Sequence, residues 1–138
     1  MKTSPLAVSV VAGVILIASA PPLLQPLIKN RTPIIEGRSQ ATMEEKRANK
    51  ALAKRYAWVG SGWKDMEWRC LDYIFTKEAR YDHLAKNRQG SSAFGIGQLL
   101  NETSKDPAIQ ILHAYKYITK RYKTPCRAMK FHLRHNYY

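Results

Sequence analysis

The chain has 138 residues, enough for one domain and short of two. Hydrophobic residues make up 45% and charged residues 24%, which excludes wholesale disorder. Lys and Arg number 23 against 10 Asp and Glu; the net charge of +13 calls for an anionic partner, such as nucleic acid, an acidic membrane or a wall polymer. Two cysteines exclude a disulfide-dense miniprotein and a four-cysteine zinc site.

No charge stands between Lys2 and Lys29, and Leu6 to Ala20 is almost entirely Val, Ile, Leu and Ala. The short basic start and Ala18-Ser19-Ala20 have the form of a secretory signal, but Pro21 directly after them disfavours cleavage. Uncut, residues 5–28 are long enough to span a bilayer, with Pro21, Pro22 and Pro26 bending or ending the helix. A core helix would show a polar face, and this segment has none. An uncleaved membrane anchor over residues 1–29 is therefore expected. Lys29, Arg31 and Arg38 favour a cytoplasmic domain by positive-inside logic, yet a large domain can translocate against that bias, so orientation stays open. Residues 30–42 read as a linker, and the folded domain is expected over 43–138.

Thr42 and Glu45 have the spacing of a capping box, which predicts a helix to about Trp58, broken by Gly60-Ser61-Gly62. Asp65 is placed to cap a second helix carrying Trp68, Leu71, Ile74 and Phe75 at helical spacing, fading between Glu78 and His83. Residues 87–92 are polar and turn-forming. Ala93 to Leu100 is apolar, but Gly95 and Gly97 make it a poor strand and a poor helix. Asp106-Pro107 starts a helix with the stripe Ile111, Ala114, Ile118 and Tyr122, and Thr124-Pro125 starts a last one toward Tyr138. No stretch alternates like a strand. The fold class expected is all-α.

Charge is concentrated at the end: Lys116, Lys120, Arg121, Lys123, Arg127, Lys130 and Arg134 follow Asp106 with no acid among them. They read either as a solvated face of two helices or as a groove for an anionic polymer. Glu78 is the first candidate for chemistry. Glycoside cleavage needs a carboxylic acid that keeps its proton near neutral pH, and burial beside Ile74 and Phe75 at a helix C-terminus provides that. Gln98 can offer an amide to sugar hydroxyls, the two glycines can admit a bulky ligand, and Tyr117, Tyr137 and Tyr138 can line a sugar groove; Tyr122 reads as core. Asp82, four residues after Glu78, reads as a surface charge or as a neighbour that raises the Glu78 pKa. His113, His132 and His135 lack an acidic or cysteine partner at matching spacing, so no metal is expected. Cys70 and Cys126 read as a disulfide between the second and last helices if the domain is outside the cytoplasm, or as two buried thiols.

Lys77-Glu78-Ala79-Arg80, followed by Ala93 to Gln98, resembles the soluble lytic transglycosylases, relatives of goose-type lysozyme. Those enzymes carry Glu-Ser and, some twenty residues on, Ala-x-Gly-Leu-x-Gln. Gln110, Tyr117-Ile118, Arg121-Tyr122, Thr124-Pro125, Ala128, Phe131 and Tyr137-Tyr138 are similar to the phage-associated branch, so the likeness covers about residues 58–138. Three positions depart from the pattern: Ala79 replaces the serine, Lys123 replaces a glycine, and Phe131-His132 stands near the place of Ala-Tyr-Asn.

The resemblance implies a lysozyme-like helical domain that cleaves peptidoglycan between N-acetylmuramic acid and N-acetylglucosamine. Glu78 would be both acid and base, the product a 1,6-anhydro sugar, and no cofactor would be needed. The substrate-binding set it implies is Asn87, Ser92, Gly95, Ile96, Gln98, Tyr117 and Tyr137. Expected partners are glycan strands, the membrane through residues 5–28, and other proteins of a virion or secretion apparatus, with the domain wall-facing or virion-borne. Two other readings stay open: a wall-binding protein that has lost catalysis, and a basic nucleic-acid-binding protein. The second rests on charge alone, since the chain carries no recognisable DNA- or RNA-binding motif and no specific nucleic acid is expected.

Overall fold

The computed structural model describes residues 37–138, and the proposed anchor over residues 1–29 lies outside them. No helix among the described residues is long and apolar enough to cross a membrane. Those residues form four α-helices and no strand: α1 (Met43–Tyr56), α2 (Asp65–Glu78), α3 (Pro107–Tyr122) and α4 (Pro125–His135). The all-α expectation holds over this region.

Local chemistry sets most helix starts. Thr42 Oγ1 accepts from Glu45 N at 3.2 Å while Thr42 N donates to Glu45 Oε2 at 2.7 Å, the reciprocal box expected from their spacing. The Asp106 carboxylate accepts from Ala108 N, Thr124 Oγ1 accepts from Arg127 N, and a proline follows each cap. Asp65 does not cap α2. Lys64 holds that position without a side-chain bond, and Asp65 is already the first helical residue, where its charge complements the helix dipole beside Glu67. The α-helical part of α1 ends at Tyr56, two residues before the expected Trp58, and the wider turn Ala57–Ser61 carries the chain to left-handed Gly62. Likewise α4 stops at His135 because Asn136 turns left-handed, so Tyr137 and Tyr138 fold back as a tail.

The expected stripes face inward. Leu71, Ile74 and Phe75 of α2 and Ile111, Ala114 and Ile118 of α3 are all wholly buried, Phe75 stacks on Tyr115 of α3, and Ala128 of α4 and Ile96 of the loop complete the core. Tyr122 departs from this pattern and is half-buried. Cys70 and Cys126 form a disulfide between α2 and α4 with Cα atoms 4.9 Å apart, and Glu67 adds a bond from Cys126 N at 2.8 Å. The reading as free thiols is excluded.

Two expectations are corrected. Residues 37–42 are not a free linker: Arg38 pairs with Glu45 through two bonds of 3.0 and 2.6 Å, holding its carboxyl down at about 2, and Ala41 is buried. Asp82 is neither a surface charge nor a neighbour acting on Glu78. It is buried, accepts from Ala41 N and Leu84 N, and pairs with Lys46 at 3.2 Å, pinning the entry of α1 to the chain after α2.

Lys123 takes φ +73° and ψ −42° at the end of α3, where the resemblance expects glycine. A side chain there stores backbone strain of about 1–3 kcal/mol. Lys123→Gly is expected to stabilise the domain by about 1 kcal/mol after the added freedom of the unfolded chain is subtracted, as read in a urea titration.

Candidate active site

Glu78 is the last residue of α2, so its carboxyl sits at the negative end of the helix dipole. Its side chain is 16% exposed, and burial alone lifts its pKa from the usual 4.5 to about 7. Near neutral pH this group is a carboxylic acid with a proton to give. Oε1 is enclosed without a hydrogen-bond partner, which leaves Oε2 as the oxygen open to the cleft. His132 of α4 brings Nε2 within 2.9 Å of Oε1, off the line of a hydrogen bond. Burial, and secondarily Lys77, hold the imidazole below its ordinary pKa. Between the lowered imidazole pKa and about pH 7 the contact is thus a neutral pair and not an ion pair.

A cleft of about 620 Å³ opens in front of Glu78, within the range of small-ligand sites. Its first wall is the loop between α2 and α3. There Gly95 N donates to Ala85 O at 2.8 Å, and Gln98 Nε2 donates to Ala85 O and Gly95 O at 3.0 and 2.9 Å. Both amide hydrogens of Gln98 thereby hold the loop, and its carbonyl oxygen is left for a ligand. Asn87 Oδ1 accepts from Gln89 N at 2.7 Å, leaving its amide hydrogens for the cleft.

The second wall is aromatic and basic. Tyr117 and Arg121 stand one turn apart on α3, and the Arg121 guanidinium lies over the rings of Tyr117, Tyr122 and Phe131 at 5.4–5.9 Å. The tail closes this wall: Tyr138 donates its hydroxyl to Gly97 O at 2.7 Å, while Tyr137 remains 54% exposed. Among the residues lining the cleft, Glu78 is the only acid.

The structure brings Glu78, Asn87, Gln98, Tyr117 and Tyr137 together around this cleft. Three other expected site residues do not line it. Ile96 is wholly buried in the core, and its N donates to Gln110 Oε1. Ser92 Oγ accepts from Asn101 N and closes the loop. Gly95 serves packing: a Cβ on it would stand 2.3 Å from Gln110 Oε1, and its φ is +75°. Gly97 is similar, with a Cβ position 2.9 Å from Ala114 Cβ, so the close approaches these glycines permit are to protein atoms.

Gln110 is the hub of that packing, since it also donates to His83 O and Ser104 O. Gly95→Ala is therefore expected to cost about 2 kcal/mol, from left-handed strain and a displaced amide. Gly60→Ala, with open space around it, should change stability by less than about 0.5 kcal/mol. Paired thermal melts check the contrast.

Sequence reasoning missed Arg121 and His132 as site residues. Arg121 carried a signal, because its i to i+4 spacing from Tyr117 places both on one helix face. His132 had none beyond its type. The other two histidines weighed as metal ligands are placed elsewhere: His113 Nδ1 lies 2.7 Å from Glu102, and His135 stacks on Phe131. Among the described residues no group of three His, Cys, Asp or Glu is arranged to hold a metal. Comparison with family models, curated proteins and solved structures finds no match for this chain.

Proposed function

We propose that the chain is a peptidoglycan lytic transglycosylase with a lysozyme-like helical domain. The observation that carries the reading is the half-buried carboxyl of Glu78, the only acid lining the cleft, lifted to about 7 beside a sugar-compatible aromatic wall. A two-carboxylate hydrolase needs a second acid to activate water or attack the sugar. One carboxyl suffices when the substrate supplies the nucleophile.

In the first half, the Glu78 acid gives its proton to the glycosidic oxygen as the C1–O bond of N-acetylmuramic acid breaks. In the second, the 6-hydroxyl oxygen of the same sugar bonds to C1 and its proton returns to the Glu78 carboxylate. The products are a 1,6-anhydro end and a free 4-hydroxyl, and no water is consumed. A pKa near 7 suits both roles, because acid and base forms are each accessible near neutral pH.

Arg121 and the net charge of +13 fit an anionic wall polymer, and the Cys70–Cys126 disulfide fits an oxidising, extracytoplasmic compartment. Membrane anchoring through residues 5–28 is part of the same proposal, as is a role in local wall opening by a virion or an envelope-crossing machine. Release of soluble glycan from purified sacculi tests the activity. Wild type should release it and Glu78→Gln should lose about 10³-fold of the rate, within the span of a general acid.

A further inference from the structure

His132 is buried to 7% exposure, and neither of its ring nitrogens has an aligned hydrogen bond. Nε2 faces Glu78 Oε1 at 2.9 Å, and Nδ1 is enclosed with no partner. A neutral imidazole must place its one hydrogen on either nitrogen. On Nδ1 it would be a buried donor with nothing to accept it. On Nε2 it stands within 2.9 Å of a carboxyl oxygen, unaligned in this structure, and the atom left unpaired is an acceptor. The Nε2–H tautomer is favoured.

We infer that His132 is a positioning residue whose Nε2–H holds Oε1 as an acceptor, so that the acidic proton of Glu78 sits on Oε2 and faces the cleft. If Oε1 carried the proton instead, it would point at the imidazole and away from any substrate. Contacts of this kind often align only in the substrate complex. Once Oε2 has given up its proton, the same N–H stabilises the carboxylate until the proton returns. The groups facing the pair are Lys77 and Tyr73 of α2, the latter edge-on to the imidazole at 5.8 Å, and Tyr138 of the tail. None of them is an acid that could take the place of Glu78 as the partner of His132.

This inference rests on Glu78 being the acid of the proposed reaction, but its first readout needs no activity. Full-length protein in detergent micelles, labelled at the His nitrogens and Glu carboxyl carbons, would be studied by NMR alongside His132→Phe and His132→Gln. The ring nitrogen shifts should report Nε2–H. The Glu78 titration midpoint should rise by about one pH unit in the Phe variant, which loses the donor, and return most of the way in Gln. In the sacculus assay the Phe variant should lose about tenfold in kcat with little change in KM, and Gln should recover most of it.

An Nδ1–H tautomer, or an unchanged Glu78 midpoint in the Phe variant, would overturn the inference. Should the Phe variant fail to fold, the wild-type tautomer decides. The expected tautomer and midpoints in a wild type that cleaves no glycan would support the pairing and overturn the proposed function.

Discussion

Glu78→Gln is expected to make the protein more stable above pH 7 while removing the proposed glycan cleavage. The folded-state pKa of about 7 lies above the ordinary 4.5, so the folded protein holds a proton that the unfolded chain releases. Stability from this group is complete below pH 4.5 and is lost as pH rises to 7, because ionising Glu78 leaves a charge enclosed beside a neutral imidazole. A 2.5-unit gap corresponds to about 3.4 kcal/mol at most. The carboxyl keeps some access to solvent, which brings the expected gain at pH 8 to about 1–2 kcal/mol. Gln cannot ionise and avoids that loss. Denaturant titrations at pH 4 and pH 8 check it: the two proteins should differ little at the lower pH and diverge at the higher. Equal stability at pH 8 would mean that Glu78 titrates like a surface carboxylate, and the account of its acidity would fail.

Reduction of the Cys70–Cys126 disulfide is the second large effect. The bond closes a loop with a sequence separation of 56, for which the chain-entropy model gives about 4 kcal/mol. Measured values for such bonds centre on about 2–4 kcal/mol. In a domain of this size that lowers the melting temperature by roughly 10–20 °C. The bond also ties α4, with His132, to α2, with Glu78, so glycan release should fall with it. Melts with and without reductant, beside a Cys70→Ser/Cys126→Ser double variant, read the effect. Reduced and oxidised protein melting at the same temperature would show that the α2–α4 contact stands without its crosslink.

The parts legible in the sequence are those whose chemistry is local. Thr42 with Glu45, Asp106 with Pro107, and Thr124 with Pro125 each act within one helical turn, so their spacing alone announces them. The stripes of α2 and α3 follow from periodicity in the same way. Long-range partners are what the sequence hides. Asp82 reads as exposed in the sequence because two of its partners, Ala41 N and Lys46 Nζ, lie at the start of α1, with the rest of α1 and all of α2 between. Gly95 looked like an opening for a ligand because Gln110 fills its space from the next helix. Glu78 could be singled out, since burial beside Ile74 and Phe75 at a helix end is readable. That His132 would face it could not, because only the packing of α4 on α2 brings the two together.

The most direct test of the central claim is the chemical form of the sugar ends released from purified peptidoglycan. Full-length protein and Glu78→Gln would be incubated with sacculi near pH 6, and the soluble muropeptides identified by mass spectrometry. The account predicts 1,6-anhydro ends from wild type and none from the variant. Reducing ends dependent on Glu78 would keep the acid but require water as the nucleophile, contradicting the one-carboxylate mechanism. No release from folded wild type would contradict the enzyme itself and leave a wall-binding domain.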